Sequence, residues 1–281
     1  RTAAELYDER EKRLRDAIEL RESDRVPVTM GGGYFAARYA GLPYSAVYYD
    51  PVPYREAVKK TIIDFAPDVY RGGVTGVNAG PALEAFDPHH SRWPGGTLPP
   101  NISHQAVEQE YMKAGEYDLF LTDPTDFTLR YLIPRAFGAM APLAKLPPLS
   151  DRFTGLVGLT AAFLNPEFRE VADALVRAGD AEVKFLRAMS GFEEEMDALG
   201  FPPERHTGVG AGGAPFDAIS DFYRGMKGTM LDMYRQPDKL LAACEKILQI
   251  RFLRAVPAAP RKPGNPKRIF NALHRGAEGF M

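Results

Sequence analysis

The sequence predicts an α/β protein organised as a (β/α) barrel, and a rhythm that occurs twice near the start carries that prediction. A charged helical opening passes through Ser23-Asp24-Arg25 into the β-prone run Val26-Pro27-Val28-Thr29-Met30, which Gly31-Gly32-Gly33 closes. The rhythm returns where a helical pattern over 54–65, with Ala57, Val58, Ile62 and Ile63 set among charges, gives way at Pro67 to Asp68-Val69-Tyr70 and then to Gly72, Gly73 and Gly76. Strands that end in glycine turns and are joined by helices suit a parallel sheet with crossovers. In a barrel the catalytic groups then sit on the loops after the strands; a doubly wound sheet is the alternative.

The remaining elements follow in order. Phe86 to Pro100 reads as a long loop, the kind that serves as a lid, arm or binding segment. Short helices are expected over 116–127 and 127–143, broken at Pro124 and Pro134, and 155–163 (GLVGLTAAF) is the most buried-looking run. A helix over 167–199 should break near Gly179. Another over 216–234 should present Ile219, Phe222, Met226, Met230 and Met233 on one face, and a last one follows Pro237. A proline-rich connector over 257–267 leads to a strand candidate, Ile269 to His274. No internal repeat or linker divides the chain, so residues 1–281 read as one domain.

Composition narrows the function classes. With 35 Lys+Arg against 37 Asp+Glu, the net charge of -2 offers no basic footprint for nucleic acid or an anionic membrane. No apolar run approaches a spanning helix, and the N-terminal stretch, rich in Glu and Asp, lacks the apolar centre of a secretion signal, so a cytoplasmic protein is expected. The single cysteine, Cys244, sits among Leu240, Leu241, Ala242 and Ala243, in a helical, core-facing setting.

Several residues are candidates for chemistry. His274-Arg275 follows a strand candidate, the place in a barrel where side chains for anion binding or proton transfer emerge; a pair that merely fixes the loop is the equal alternative. Tyr34, Tyr70 and Arg71 follow earlier strand candidates and join them as substrate-binding candidates. His104 and Glu108 have helical i,i+4 spacing, which suits a pocket pair, and Asp217 falls in a first helical turn, favourable to the macrodipole. The glycines of 208–213 match G-x-G-x-x-G, but no strand precedes them and Pro215 starts the next helix, so a loop facing substrate is the preferred reading over a dinucleotide site. Adjacent His89 and His90 in Asp87-Pro88-His89-His90 point apart in a loop and read as exposed. No metal site is assigned.

The segments RVPVTM, FAPDVY, APFDAISDFYRGMKGTMLDMYRQPDKLL and LHRGAEGFM together resemble the uroporphyrinogen decarboxylase superfamily, the third being the most specific. The resemblance implies an eight-stranded (β/α)8 TIM barrel whose last strands lie beyond Met281, with the pocket at its C-terminal mouth. It implies one of two chemistries: cofactor-free decarboxylation in tetrapyrrole biosynthesis, or corrinoid-linked methyl transfer, often with zinc. Against decarboxylation, the family's arginine-rich first loop is replaced by Gly31-Gly32-Gly33-Tyr34-Phe35-Ala36-Ala37-Arg38-Tyr39, and its catalytic aspartate by Thr75, which carries no charge to stabilise a pyrrole cation. The expectation is therefore methyl transfer to or from a small methylated substrate, with methylcobalamin carried by a separate corrinoid protein. Zinc would come through residues beyond 281. A divergent decarboxylase and a non-catalytic barrel that binds a tetrapyrrole or a partner are the alternatives, and a homodimer stays open.

Overall fold

A computed structural model describes residues 1–71, 79–148, 155–204 and 213–255. The chain forms two compact units: Arg1–Ala85 with Arg92–Gln105 and Val176–Arg205, and Phe86–Ser91 with Ala106–Leu175 and His206–Met281.

The first unit opens with helix α1 (Ala3–Ile18), begun by a capping box in which the Glu5 N–H donates to Thr2 Oγ1 at 3.3 Å and the Thr2 N–H to Glu5 Oε2 at 2.7 Å. Its inward face is ionic: Arg10, Arg13 and Asp16 are its buried residues. Arg13 pairs with Asp68, which is fully buried and also accepts from Arg25 at 2.6 Å and from the Val28 N–H at 2.8 Å. A charge buried this deeply persists because several donors replace its water. Asp68 thus fastens α1 to the two strands that follow. Strand β1 (Thr29–Gly31) pairs in parallel with β2 (Val69–Arg71), Met30 opposite Tyr70.

Between these strands lie α2 (Gly33–Tyr39), α3 (Ala46–Tyr49) and α4 (Pro51–Phe65), and beyond them α5 (Gly80–Phe86). A parallel bridge from Tyr70 to Pro203 adds a third segment, with the Glu204 N–H donating to the Tyr70 carbonyl at 2.6 Å. The core gathers Ala36, Tyr48, Tyr54, Val58, Trp93 and Met196. Gly200 closes this unit tightly: its φ is +83°, and a Cβ there would lie 2.6 Å from the Ala3 carbonyl oxygen.

A second two-stranded sheet pairs β3 (Ser91–Arg92) with β4 (Gln105–Ala106). The described residues of the second unit include α6 (Tyr117–Thr122), α7 (Pro124–Phe127), α8 (Ile133–Ala136) and α9 (Gly155–Ala162). Pro124 stands in the first turn of α7, where a missing N–H costs nothing, but the expected break at Pro134 is not found: α7, a π turn over Thr128–Leu132 and α8 run on without interruption. Helix α10 (Pro166–Met189) enters the first unit at Val176, and α11 (Phe192–Ala198) follows there. In the second unit α12 (Pro215–Ala218), α13 (Gly225–Arg235) and α14 (Pro237–Ala255) pack Ile219, Leu240, Ala243 and Ile247 against Tyr117, Phe120 and Phe127.

The eight-stranded (β/α)8 TIM barrel is not found. Among the described residues the strands are two pairs of short segments, the longest three residues, set among helices. The opening rhythm does yield a parallel pair with helical crossover, but the further strand candidate Ile269 to His274 lies outside the described residues, and the count of eight rested on resemblance. Val26 and Pro27 stay outside the ladder, as suits a proline that has no N–H to give, while the Val28 carbonyl accepts the Asp68 N–H at 2.9 Å and the Val69 N–H at 3.2 Å. The run GLVGLTAAF forms α9, with Val157 69% exposed, so apolar composition there did not mean a buried element. Gly179 lies inside an unbroken α10; the chain breaks at Gly191, whose φ is +75°. The expected continuous face after Phe216 is also interrupted. A π turn at Ile219–Tyr223 and positive φ at Gly225 shift the register, so Ile219 is buried while Phe222 is 56% exposed.

Among the described residues no helix is long and apolar enough to cross a membrane.

Candidate functional site

The candidate site forms where the chain leaves β1. Gly33 takes a φ of +63°, which lets α2 begin at once and aims the Gly33 N–H at Tyr54 Oη, 2.6 Å away. Burial pushes the Tyr54 phenol up to about 12, so it stays neutral and serves as an acceptor that holds this turn.

The next residue, Tyr34, lies at the centre of an aromatic group. Its ring lies 4.8 Å from Tyr44, 6.4 Å from Tyr48 and 6.3 Å from the His104 imidazole. Its hydroxyl accepts the His104 N–H at 3.0 Å and shares a hydrogen bond with Tyr48 Oη at 2.7 Å. Tyr48 is buried, and desolvation first, then the Tyr34 hydroxyl, raises its phenol far above the ordinary value. At neutral pH the Tyr48 hydroxyl therefore carries its proton. The group can donate and accept hydrogen bonds.

Tyr44 extends this group into a recess of about 470 Å³ that Arg38, Leu42, Pro43 and Asn101 also line. Arg38 supplies a permanent cation beside an aromatic wall. Among the described residues, none of the groups hydrogen-bonded to Tyr34 or in ring contact with it is a carboxylate.

The structure brings together two of the residues picked from sequence, Tyr34 and His104. Their partners Tyr44 and Tyr48 escaped notice; the signal was the tyrosine density of 34–49, YFAARYAGLPYSAVYY, which a reading by strand ends passes over. The other candidates lie differently. Tyr70 is a core residue, edge-on to Phe192 at 5.9 Å. Arg71 donates to Glu204 at 2.6 Å, a bond that fixes the end of β2. Asp217 belongs to the second unit, buried in the first turn of α12, with its carboxylate acting on Arg251. His274 and Arg275, Thr75 and the glycines 208–212 lie outside the described residues. The helical pairing of His104 with Glu108 does not form, because β4 intervenes and Glu108 instead accepts the Met226 N–H at 2.6 Å.

His89 and His90 are half-buried rather than exposed. His89 donates from Nδ1 to the Arg135 carbonyl at 3.0 Å, while desolvation lowers the pKa of His90. Among the described residues no group of three or more His, Cys, Asp or Glu is placed to hold a metal ion. Burial raises the Cys244 thiol to about 11, which leaves it protonated and unreactive.

No protein-family model, curated protein or solved structure matches the chain.

Proposed function

We propose that this chain is an enzyme related to the uroporphyrinogen decarboxylase superfamily, and that it transfers a methyl group to or from a small compound in partnership with a corrinoid protein. The observation that supports this reading is the carboxylate-free character of the Tyr34 group, read beside the sequence resemblance. Decarboxylating a polycarboxylate ring calls for several cations and an anion near the reacting carbon. The Tyr34 group instead offers phenol hydroxyls, an imidazole and, in the adjoining recess, the Arg38 guanidinium. Such a set orients a small polar molecule through hydrogen bonds. The corrinoid on its partner would supply the cobalt that accepts or gives the methyl group.

The full chain, incubated with methylcobalamin and a panel of small thiols, amines and methoxy compounds, is expected to demethylate the cobalt, as followed by its visible spectrum. Tyr34→Phe should lower that rate by roughly tenfold, about the worth of one hydrogen bond to a reacting group, with the fold retained. Conversion of uroporphyrinogen to coproporphyrinogen, with no cobalt change across the panel, would sink the proposal and favour decarboxylation.

A further inference from the structure

A second recess of the first unit lies between α5, the α3–α4 junction and the C-terminal half of α10, and encloses about 650 Å³, within the range of small-molecule sites. Its walls are tied together rather than merely adjacent. The Glu182 carboxylate accepts the Ala79 N–H at 2.9 Å, so α10 holds the start of α5. On the opposite wall Tyr49 donates to Glu84 at 2.7 Å and accepts the Trp93 indole N–H at 3.0 Å. Both hydrogen-bonding directions of that phenol are used, and burial, then the Glu84 carboxylate, raises it to about 12. The floor is apolar, with Phe185 4% and Tyr48 5% exposed.

Arg177 and Lys184 edge this recess from the same helix. They stand seven residues apart, two turns, so about 10 Å separates their backbones along the axis. Among the described residues neither has a carboxylate partner at ion-pair distance, although Asp180 stands four residues before Lys184, where pairing is easy. Asp180 and Glu84 also line the recess, Glu84 accepting the Tyr49 hydroxyl and neither reaching Arg177 or Lys184. Two uncommitted cations above Phe185 and Tyr48 match a ligand with an anion at each end and an apolar middle.

We propose that the recess bounded by Tyr49, Arg177, Lys184 and Phe185 binds a short aliphatic dicarboxylate, one carboxylate on Arg177 and the other on Lys184. The guanidinium takes its carboxylate through two parallel N–H donors, the ammonium takes the other as a point charge, and the methylenes lie over Phe185. This site is separate in chemistry from methyl transfer and stands or falls independently of it.

Calorimetric titration of the full chain with succinate, glutarate, adipate and suberate tests the proposal, with hexanoate and 1,6-diaminohexane as comparisons. Binding should peak at one chain length, fall at least tenfold for hexanoate, vanish for the diamine, and weaken as salt rises. Arg177→Ala and Lys184→Ala should each lower adipate affinity by about tenfold or more, while Arg187→Ala, on the same helix outside the recess, should leave it unchanged. These side chains are exposed, so each variant should keep the parent's circular dichroism and melting curve. The proposal is overturned if no dicarboxylate binds, if adipate binds equally well to the Arg177 and Lys184 variants, or if the diamine binds as tightly as adipate.

Discussion

Among the described residues each unit buries an arginine–aspartate pair, and the two pairs differ in how many guanidiniums depend on the acid. In the first unit the acid is the hub: fully buried Asp68 gathers Arg13, Arg25 and the Val28 N–H. In the second the cation is the hub. Arg224 reaches Asp232 at 2.6 Å, the Met112 carbonyl at 2.7 Å, and Glu110, while Asp232 also accepts from Tyr117 at 2.9 Å and Gln236 at 3.0 Å. Both arginines have other acids: Arg13 also reaches Glu9 at 2.9 Å and Asp24 at 2.6 Å, and Arg224 reaches Glu110. The difference lies in the acids, since fully buried Asp68 serves two guanidiniums and Asp232 serves one. The number of charges that depend on the buried acid should decide which pair is the more fragile.

The largest expected effect follows from that difference. Asp68→Asn should destabilise the protein by about 3–5 kcal/mol, the cost of breaking a buried ion pair, as read from urea or guanidinium midpoints. If that loss were no greater than for Asp232→Asn, the argument from the shared buried acid would fail. Asp232→Asn should cost less, about 2–3 kcal/mol, since only one guanidinium depends on Asp232.

A pH series sharpens the same contrast. Burial raises the Asp232 carboxyl, but the bonds from Arg224, Gln236 and Tyr117 outweigh it and leave its pKa below the ordinary value. An acid depressed in the folded state adds stability that is present above its unfolded pKa, near 4, and is lost as pH falls through the folded value. Glu116, lowered first by Arg135, behaves alike. Unfolding midpoints should therefore drop below about pH 4, and Asp232→Asn should flatten that slope. The smallest effect is expected at the start of α1, where Thr2→Ala removes only the capping hydroxyl and should cost about 1 kcal/mol in the same denaturation experiment.

Local signals in the sequence were read well where one residue type settles the backbone. Pro124, Pro215 and Pro237 each stand at a helix start, because a missing N–H is tolerated there, whereas Pro134 lies inside a run that the π turn Thr128–Leu132 carries through without a break. The β1–α–β2 opening was legible from its glycine turns. Periodicity misled where the backbone left a regular helix: the π turn after Ala218 and the positive φ of Gly225 moved Phe222 to the surface. Gly179 failed as a break because a glycine inside a long helix costs only about 1 kcal/mol against Ala, which the packing of Val171, Ala174 and Ala178 offsets.

By itself, then, the sequence determined the helical segments with proline starts, the first parallel strand pair, and the presence of reactive residue types near strand ends. The tertiary structure alone decided how many strands form, since a strand exists only with a partner and two short pairs found theirs. It also decided which charges go inside: Arg13 and Asp68 are 55 positions apart, and nothing local marks either as buried. The Tyr34 group was decided in the same way. Tyr48 and His104 stand 14 and 70 residues from Tyr34, and only folding brings their hydrogen bonds to one oxygen.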